Sequence, residues 1–329
     1  MMTQLRVFLQ HTYLLTLVGF LTCRPGSPHD DSCLTALTAL SDKDFRQLSR
    51  ISKRSFFALH NYIHDSPVFH SSSPNAHHKQ QPASWHLAVA LARLGENGNG
   101  ASVGQLHRYF GIAVGSVVEY TKSILIALKA VRSQWLEWPS PVRRRVMAAE
   151  GVGLVDGTTL PLSQRPALDG SSYFDRKKKG EKHSVSFFKG ETNFDTIYEY
   201  AFKQIFCGVA IGIVFKRMGI YRDPNNFFSA GEYLVADSAY PSLPTVLPAY
   251  KLPPADNEDN AEFNFYLAKS RVRNEHKIVT LGFTKRDARQ LRSKAEMNVF
   301  IEWVLGCCTL HNMLAKLGDA WKQSLENTV

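Results

Sequence analysis

Glu232-Tyr-Leu-Val-Ala-Asp237-Ser238 is a short apolar run that stops on an acid, and Gly151-Val-Gly-Leu-Val-Asp156-Gly157 repeats the design. Apolar runs of this length, bounded by turn-formers, read as buried strands. An aspartate at the end of such a strand breaks the apolar pattern and gains nothing in packing. A cap or turn accounts for either acid alone. Two strands ending in the same way point to a shared site.

A third acid follows on a helix. From Glu262 the pattern turns helical, with Leu267, Val272, Ile278 and Val279 as candidate core positions. Glu275 stands four residues after Arg271, so one reading is a surface ion pair. The other is that Glu275 joins Asp156 and Asp237. Carboxylates gathered in one place drive proton uptake unless a cation holds them apart. Hard divalent ions with oxygen ligands, Mg²⁺ or Mn²⁺, suit that donor set. Two such ions activate water and stabilise the leaving oxygen of a phosphodiester.

Upstream the chain reads as helical. Phe45, Leu48, Ile51, Phe56, Phe57, Leu59 and Tyr62 recur at helical spacing, as do the apolar residues of Trp85–Leu94 before Gly95. Between them, residues 65–84 read as a polar loop carrying His77-His78. Ala101, Val103, Leu106 and Phe110 then give a short helix ending at Gly111. Gly115-Ser116 opens a second helix, with Val117, Val118, Ile124, Leu125 and Leu128 as its apolar positions. Two helices joined by a short glycine-bearing turn match a helix-turn-helix, whose second helix can lie in a major groove, and equally an ordinary helical hairpin. Ser116, Glu119, Tyr120 and Lys122 are the expected exposed, DNA-facing positions.

Composition favours the DNA reading. The 329 residues carry 39 Lys+Arg against 29 Asp+Glu, a formal charge of +10, which favours a polyanionic partner. At 44% hydrophobic residues the chain has enough apolar content for a sizeable core. The cysteines Cys23, Cys33, Cys207, Cys307 and Cys308 form no Cys-x-x-Cys pair, which argues against a zinc cage and a disulfide framework. No apolar run reaches the roughly 18–20 residues of a membrane helix. Arg6 precedes an apolar stretch from Leu14 to Leu21, but no small-residue cleavage site follows it, so an amphipathic segment is the expectation there.

These segments carry a resemblance. Gly153-Leu-Val-Asp156-Gly-Thr, Tyr173-Phe-Asp-Arg-Lys-Lys178, Gly231-Glu-Tyr-Leu-Val-Ala-Asp237-Ser-Ala-Tyr-Pro241, Ala268-Lys-Ser-Arg-Val-Arg-Asn-Glu275-His and Cys308-Thr-Leu-His-Asn-Met313 occur in family order. Over residues 45–317 the chain resembles the DDE endonucleases of PIF/Harbinger transposases and the nucleases derived from them. The resemblance implies an α/β, RNase H-like fold: a mixed sheet flanked by helices, preceded by an all-α helix-turn-helix region. It implies that Asp156, Asp237 and Glu275 are the catalytic, metal-binding triad of a metal-dependent hydrolase cleaving phosphodiester bonds. The expected organisation is an extension over 1–44, a helical DNA-binding region over 45–147, the nuclease over 148–317 and a tail over 318–329. Arg176, Lys177, Lys178 and Lys179 are candidate backbone contacts to DNA. His311-Asn312 reads as a buried polar pair in the last helix.

The expected partners are DNA, a Myb-like DNA-binding protein (implied by the resemblance) and further copies of the same chain, with no membrane. The nucleus is the expected location, inferred from the substrate. One departure bears on activity. Where the family has Gly-Ser-x-His-Asp, this chain has Gly208-Val-Ala-Ile-Gly-Ile-Val-Phe215, and the stretch Phe187–Cys207 lacks the alternation expected of strands. The alternative expectation is therefore a catalytically inactive, domesticated or degenerate transposase relic that only binds DNA.

Overall fold

The computed structural model describes residues 39–70, 81–95, 102–150, 153–161, 184–191, 206–207, 215–216, 218–279 and 293–319. The chain is mixed α/β, with more helix than strand. It divides into two compact units, Met1–Val131 with Lys316–Val329, and Arg132–Ala315. Among the described residues no single helix is long and apolar enough to cross a membrane.

The first unit is helical. Helix α1 (Asp42–Ser49) starts where the Ser41 hydroxyl accepts from the Asp44 backbone N–H, with Asp42 and Asp44 favourably set in the first turn. Helix α2 (Lys53–Ile63) starts in the same way on Ser52. Phe45 and Phe56 meet edge to face at 5.3 Å, fixing the two helices to each other. Helix α3 (Ala83–Gly95) is buried almost all round, as a helix apolar on every side must be, and packs against α1, α2, α4 (Val103–Phe110) and α5 (Val114–Val131). Of the positions expected in this core, Leu48 and Phe57 are only half-buried and Tyr62 is exposed.

The second unit is built on a sheet ordered β3-β2-β1-β4-β5. Strand β1 is Gly153–Pro161, β2 Ser184–Glu191, β3 Phe206–Cys207, β4 Leu234–Ala236 and β5 Val246–Pro248. The first three run antiparallel, with β1 and β2 paired from Leu154↔Glu191 to Pro161↔Ser184. Beyond β1, β4 and β5 run parallel. The stretch without strand alternation thus supplies β2 and β3 all the same. A long antiparallel ladder fixes a strand that its side-chain pattern does not announce.

Strand β4 is buried on both faces. Leu234 and Ala236 join Val155, Phe300, Val304 and Cys308 in one cluster, so helix α9 (Lys294–Lys316) covers that face. Val235 alternates to the other face and packs with Leu267 and Phe263 of helix α8 (Glu258–Val279). Phe215, the last residue of the segment that departs from the family pattern, is fully buried in the first cluster. Among the described residues between β3 and β4 lies a short helix, α7 (Gly219–Arg222).

The units divide at Val131, ahead of the boundary at 147 expected from the sequence. Residues after Val131 bond within the sheet unit. Arg132 pairs with Glu302, Leu136 is buried beside the sheet, and the Trp138 indole donates to the Phe227 carbonyl at 2.6 Å. Helix α6 (Pro141–Glu150) is held there by Arg144, whose Nε lies 2.6 Å from Glu232.

Asp319 belongs to the helical unit although the chain reaches it last. Its carboxylate accepts from the Ser52 N–H at 2.7 Å and hydroxyl at 2.9 Å, and pairs with Arg46 at 3.0 Å. Burial pushes this acid up, but the hydrogen bonds from Ser55 and Ser52 and the Arg46 charge outweigh that and hold it below the usual 3.8. A depressed carboxylate contributes stability above its ordinary value and loses it as pH falls through the folded one. Asp319→Ala is expected to cost the helical unit about 1–3 kcal/mol, read as a lower denaturation midpoint at pH 7. Asp319→Asn is expected to flatten the acid limb of the pH–stability curve.

Candidate metal centre and nucleic-acid interface

Strand β1 sets the first acid. Gly153 pairs with Leu234 and Leu154 with Val235 in parallel register. Continued past the last pair, the register sets position 156 level with Asp237, one strand spacing of about 4.8 Å away. Val155 shares the α9 face with Leu234 and Ala236, so the neighbouring backbone positions 154 and 156 alternate to the opposite face, where Val235 packs on α8. Helix α8 carries Glu275 eight residues after Leu267, about 12 Å further along its axis. Asp156 is the fourth residue of β1, which runs on to Pro161 instead of ending at the acid as expected, and Asp237 follows the last residue of β4. With Glu275 on α8 these carboxylates are oxygen donors of the kind that a hard divalent ion takes.

Asp237 is half-buried in a tight turn. Its Oδ1 accepts from the Ala239 N–H at 2.7 Å, and its carbonyl accepts from Tyr240 N–H at 3.2 Å. The turn orients the carboxylate at the strand end rather than in the core. Approach to β4 is set by Gly231, whose φ of +81° is open to glycine at little cost. Glu232, in the same motif, is structural. It accepts from Arg144 at 2.6 Å and from Ser229 N–H at 2.7 Å, while Arg144 also donates to Ser229 Oγ at 2.9 Å and to the Pro139 carbonyl at 2.8 Å. Sequence reading missed this pair because its partners stand 88 residues apart.

The side chains of Asp156 and Glu275 lie outside the described residues, as do Arg176, Lys177, Lys178 and Lys179 and the Gly208–Val214 stretch. Among the residues whose side chains are described, no group of three His, Cys, Asp or Glu converges. His311-Asn312 divides. Asn312 is buried and donates to the Trp135 carbonyl at 2.7 Å, whereas His311 is only half-buried.

In the helical unit, α4 ends at Gly111 in the left-handed region, φ 62°, and α5 begins after Gly111, Ile112 and Ala113. The two helices meet at 98°. The outward face of α5 differs from the sequence expectation. Glu119 and Lys122 are exposed, but Ser116 and Tyr120 are half-buried, and Val118, expected in the core, is 43% exposed. Tyr120 is drawn in by His86, whose ring stacks on it at 4.0 Å. Burial raises the Tyr120 hydroxyl, and a hydrogen bond with Ser116 opposes it.

Comparison with protein-family models, with curated proteins and with solved structures returns no match.

His86 is buried between Tyr120 and Phe69, and neither ring nitrogen has a hydrogen-bond partner among the described residues. Burial lowers it from 6.5 to about 4. A histidine kept neutral by the fold contributes stability above its ordinary value and loses it as pH falls towards the folded one. Denaturant midpoints are expected to drop between pH 6.5 and about 4. His86→Phe, which keeps the stack and cannot titrate, is expected to remove that part of the slope.

Proposed function

We propose that the chain is a divalent-metal-dependent DNA endonuclease of the Harbinger transposase type, acting through Asp156, Asp237 and Glu275. One observation carries the reading: the parallel pairing of β1 with β4, whose register, continued two residues beyond Leu154↔Val235, supports setting positions 156 and 237 level. The same proposal includes the finer fold. A mixed sheet with acids on adjacent strands and a third on a following helix is the RNase H-like arrangement that the resemblance implies, and the order β3-β2-β1-β4-β5 supports it.

Asp156, Asp237 and Glu275 would hold Mg²⁺ or Mn²⁺, which when bound supplies water activation and charge neutralisation at the scissile phosphate. A bound cation would offset the mutual repulsion of the three carboxylates. The Ala239 N–H holds one oxygen of Asp237, fixing the carboxylate's rotation at the strand end. The α4–α5 pair, with its 98° angle and three-residue turn, supports a helix-turn-helix reading in which α5 enters the major groove. DNA is then the partner that the charge of +10 attracts, and the nucleus the compartment where it is met.

The test is nicking of supercoiled DNA by the purified chain in Mg²⁺ or Mn²⁺. Nicking is expected to vanish with chelator and to fall to the chelated level in Asp156→Ala, Asp237→Ala and Glu275→Ala. Salt-sensitive DNA binding without nicking, unchanged by Asp237→Ala, would replace this reading with a relic that only binds. The absence of Gly-Ser-x-His-Asp across Gly208–Phe215 favours that second reading.

A further inference from the structure

Helix α5 is apolar on part of its outward side, where a surface helix is ordinarily polar. Val114, Val118 and Ile126 are 53%, 43% and 45% exposed. Val114, Val118 and Lys122 recur every fourth residue, so they form one stripe at the start of the helix. Glu119 and Gly115 flank it, both exposed. A Cβ added at Gly115 would meet nothing within 4 Å, so the space in front of the helix is open among the described residues.

We propose, resting on the DNA-binding reading above, that the stripe Val114–Gly115–Val118–Lys122 is the base-reading surface and selects thymine through its C5 methyl. Three arguments converge. A helix that follows a three-residue turn at 98° presents its N-terminal residues to the groove, and Val114, Gly115 and Val118 are those residues. In the major groove only thymine offers a methyl group, and apolar side chains are its complement. Lys122 and Lys129 lie exposed on the same side, supplying charge for the flanking phosphates, which a purely apolar protein interface would not use. The Lys122–Glu119 pair, 3.7 Å apart and well exposed, is weak enough to open on contact. Gly115 lets the helix backbone approach the base edges. Ser116 and Tyr120 turn inward to each other and to His86, and so read no base.

The probe is the duplex that the full-length chain enriches from a randomised pool, made once with thymine and once with uracil, which lacks only the methyl. Replacing a contacted thymine by uracil is expected to weaken wild-type binding about fourfold per methyl, the effect of burying one such group. Val114→Ala/Val118→Ala is expected to bind both duplexes alike, and Gly115→Leu to lose duplex binding while keeping its helicity. Each altered side chain is exposed, so circular dichroism is expected to match wild type. Equal wild-type affinity for the thymine and uracil duplexes would overturn this inference and leave DNA binding standing. Failure of the wild type to bind any duplex would overturn the DNA-binding reading itself. A wild-type dimer that Val114→Ala/Val118→Ala converts to monomer, with no thymine effect, would assign the stripe to a second copy of the chain instead.

Discussion

The sheet unit depends on β1 being hydrogen-bonded along both edges. On one side it runs antiparallel to β2 over the whole length of both strands, and on the other it meets β4 in parallel. A strand held from two sides cannot slip by one residue without turning its apolar set to the wrong face. Val155 and its neighbours on β4 are therefore fixed against α9, and the alternate positions against α8. The level of Asp156 with Asp237 is a consequence of that register, not of any attraction between the acids. Like charges on adjacent strands repel, so the ladder, and not the acids, holds that register.

Around this strand the polar groups serve position. Glu232 and Arg144 join the approach to β4 to helix α6, and Asn312 and Glu302 tie α9 to the residues that follow α5. The two ion pairs break even at best as sources of stability, but breaking any of these contacts leaves its partner stranded. Their effect is to permit one arrangement of helices on the sheet. In the helical unit, α3 takes the corresponding role. Buried all round, it leaves α5 one face to bury and one to present.

The apolar runs before Asp156 and Asp237 were legible as strands, but the end of the first was not: its ladder with β2 carries β1 past Asp156 to Pro161. The helix stops at Gly95 and Gly111 were legible because a glycine stop is local chemistry, whereas the starts on Ser41, Ser52 and Ser102 were not, and the single helical stretch read from Phe45 to Tyr62 is two helices. The inward turn of Ser116 and Tyr120 was not legible, because His86 stands in a different helix and an alternation count cannot see it. Val118 reads as core by residue type, yet α3 already fills the core side of α5. Strands β2 and β3 escaped for the same reason: partners, and not their own pattern, hold them.

The sequence by itself determined most of the helices, the apolar strand runs that lead into Asp156 and Asp237, the helical stretch that carries Glu275, and the basic balance of the chain. These follow from local propensity and composition, which need no knowledge of neighbours. Only the tertiary structure decided that β1 and β4 pair in parallel, that α8 covers the Val235 face, and that Val114 and Val118 look outward. Each of those is a relation between residues far apart in the chain, set by hydrogen-bond register and by which surfaces compete for burial.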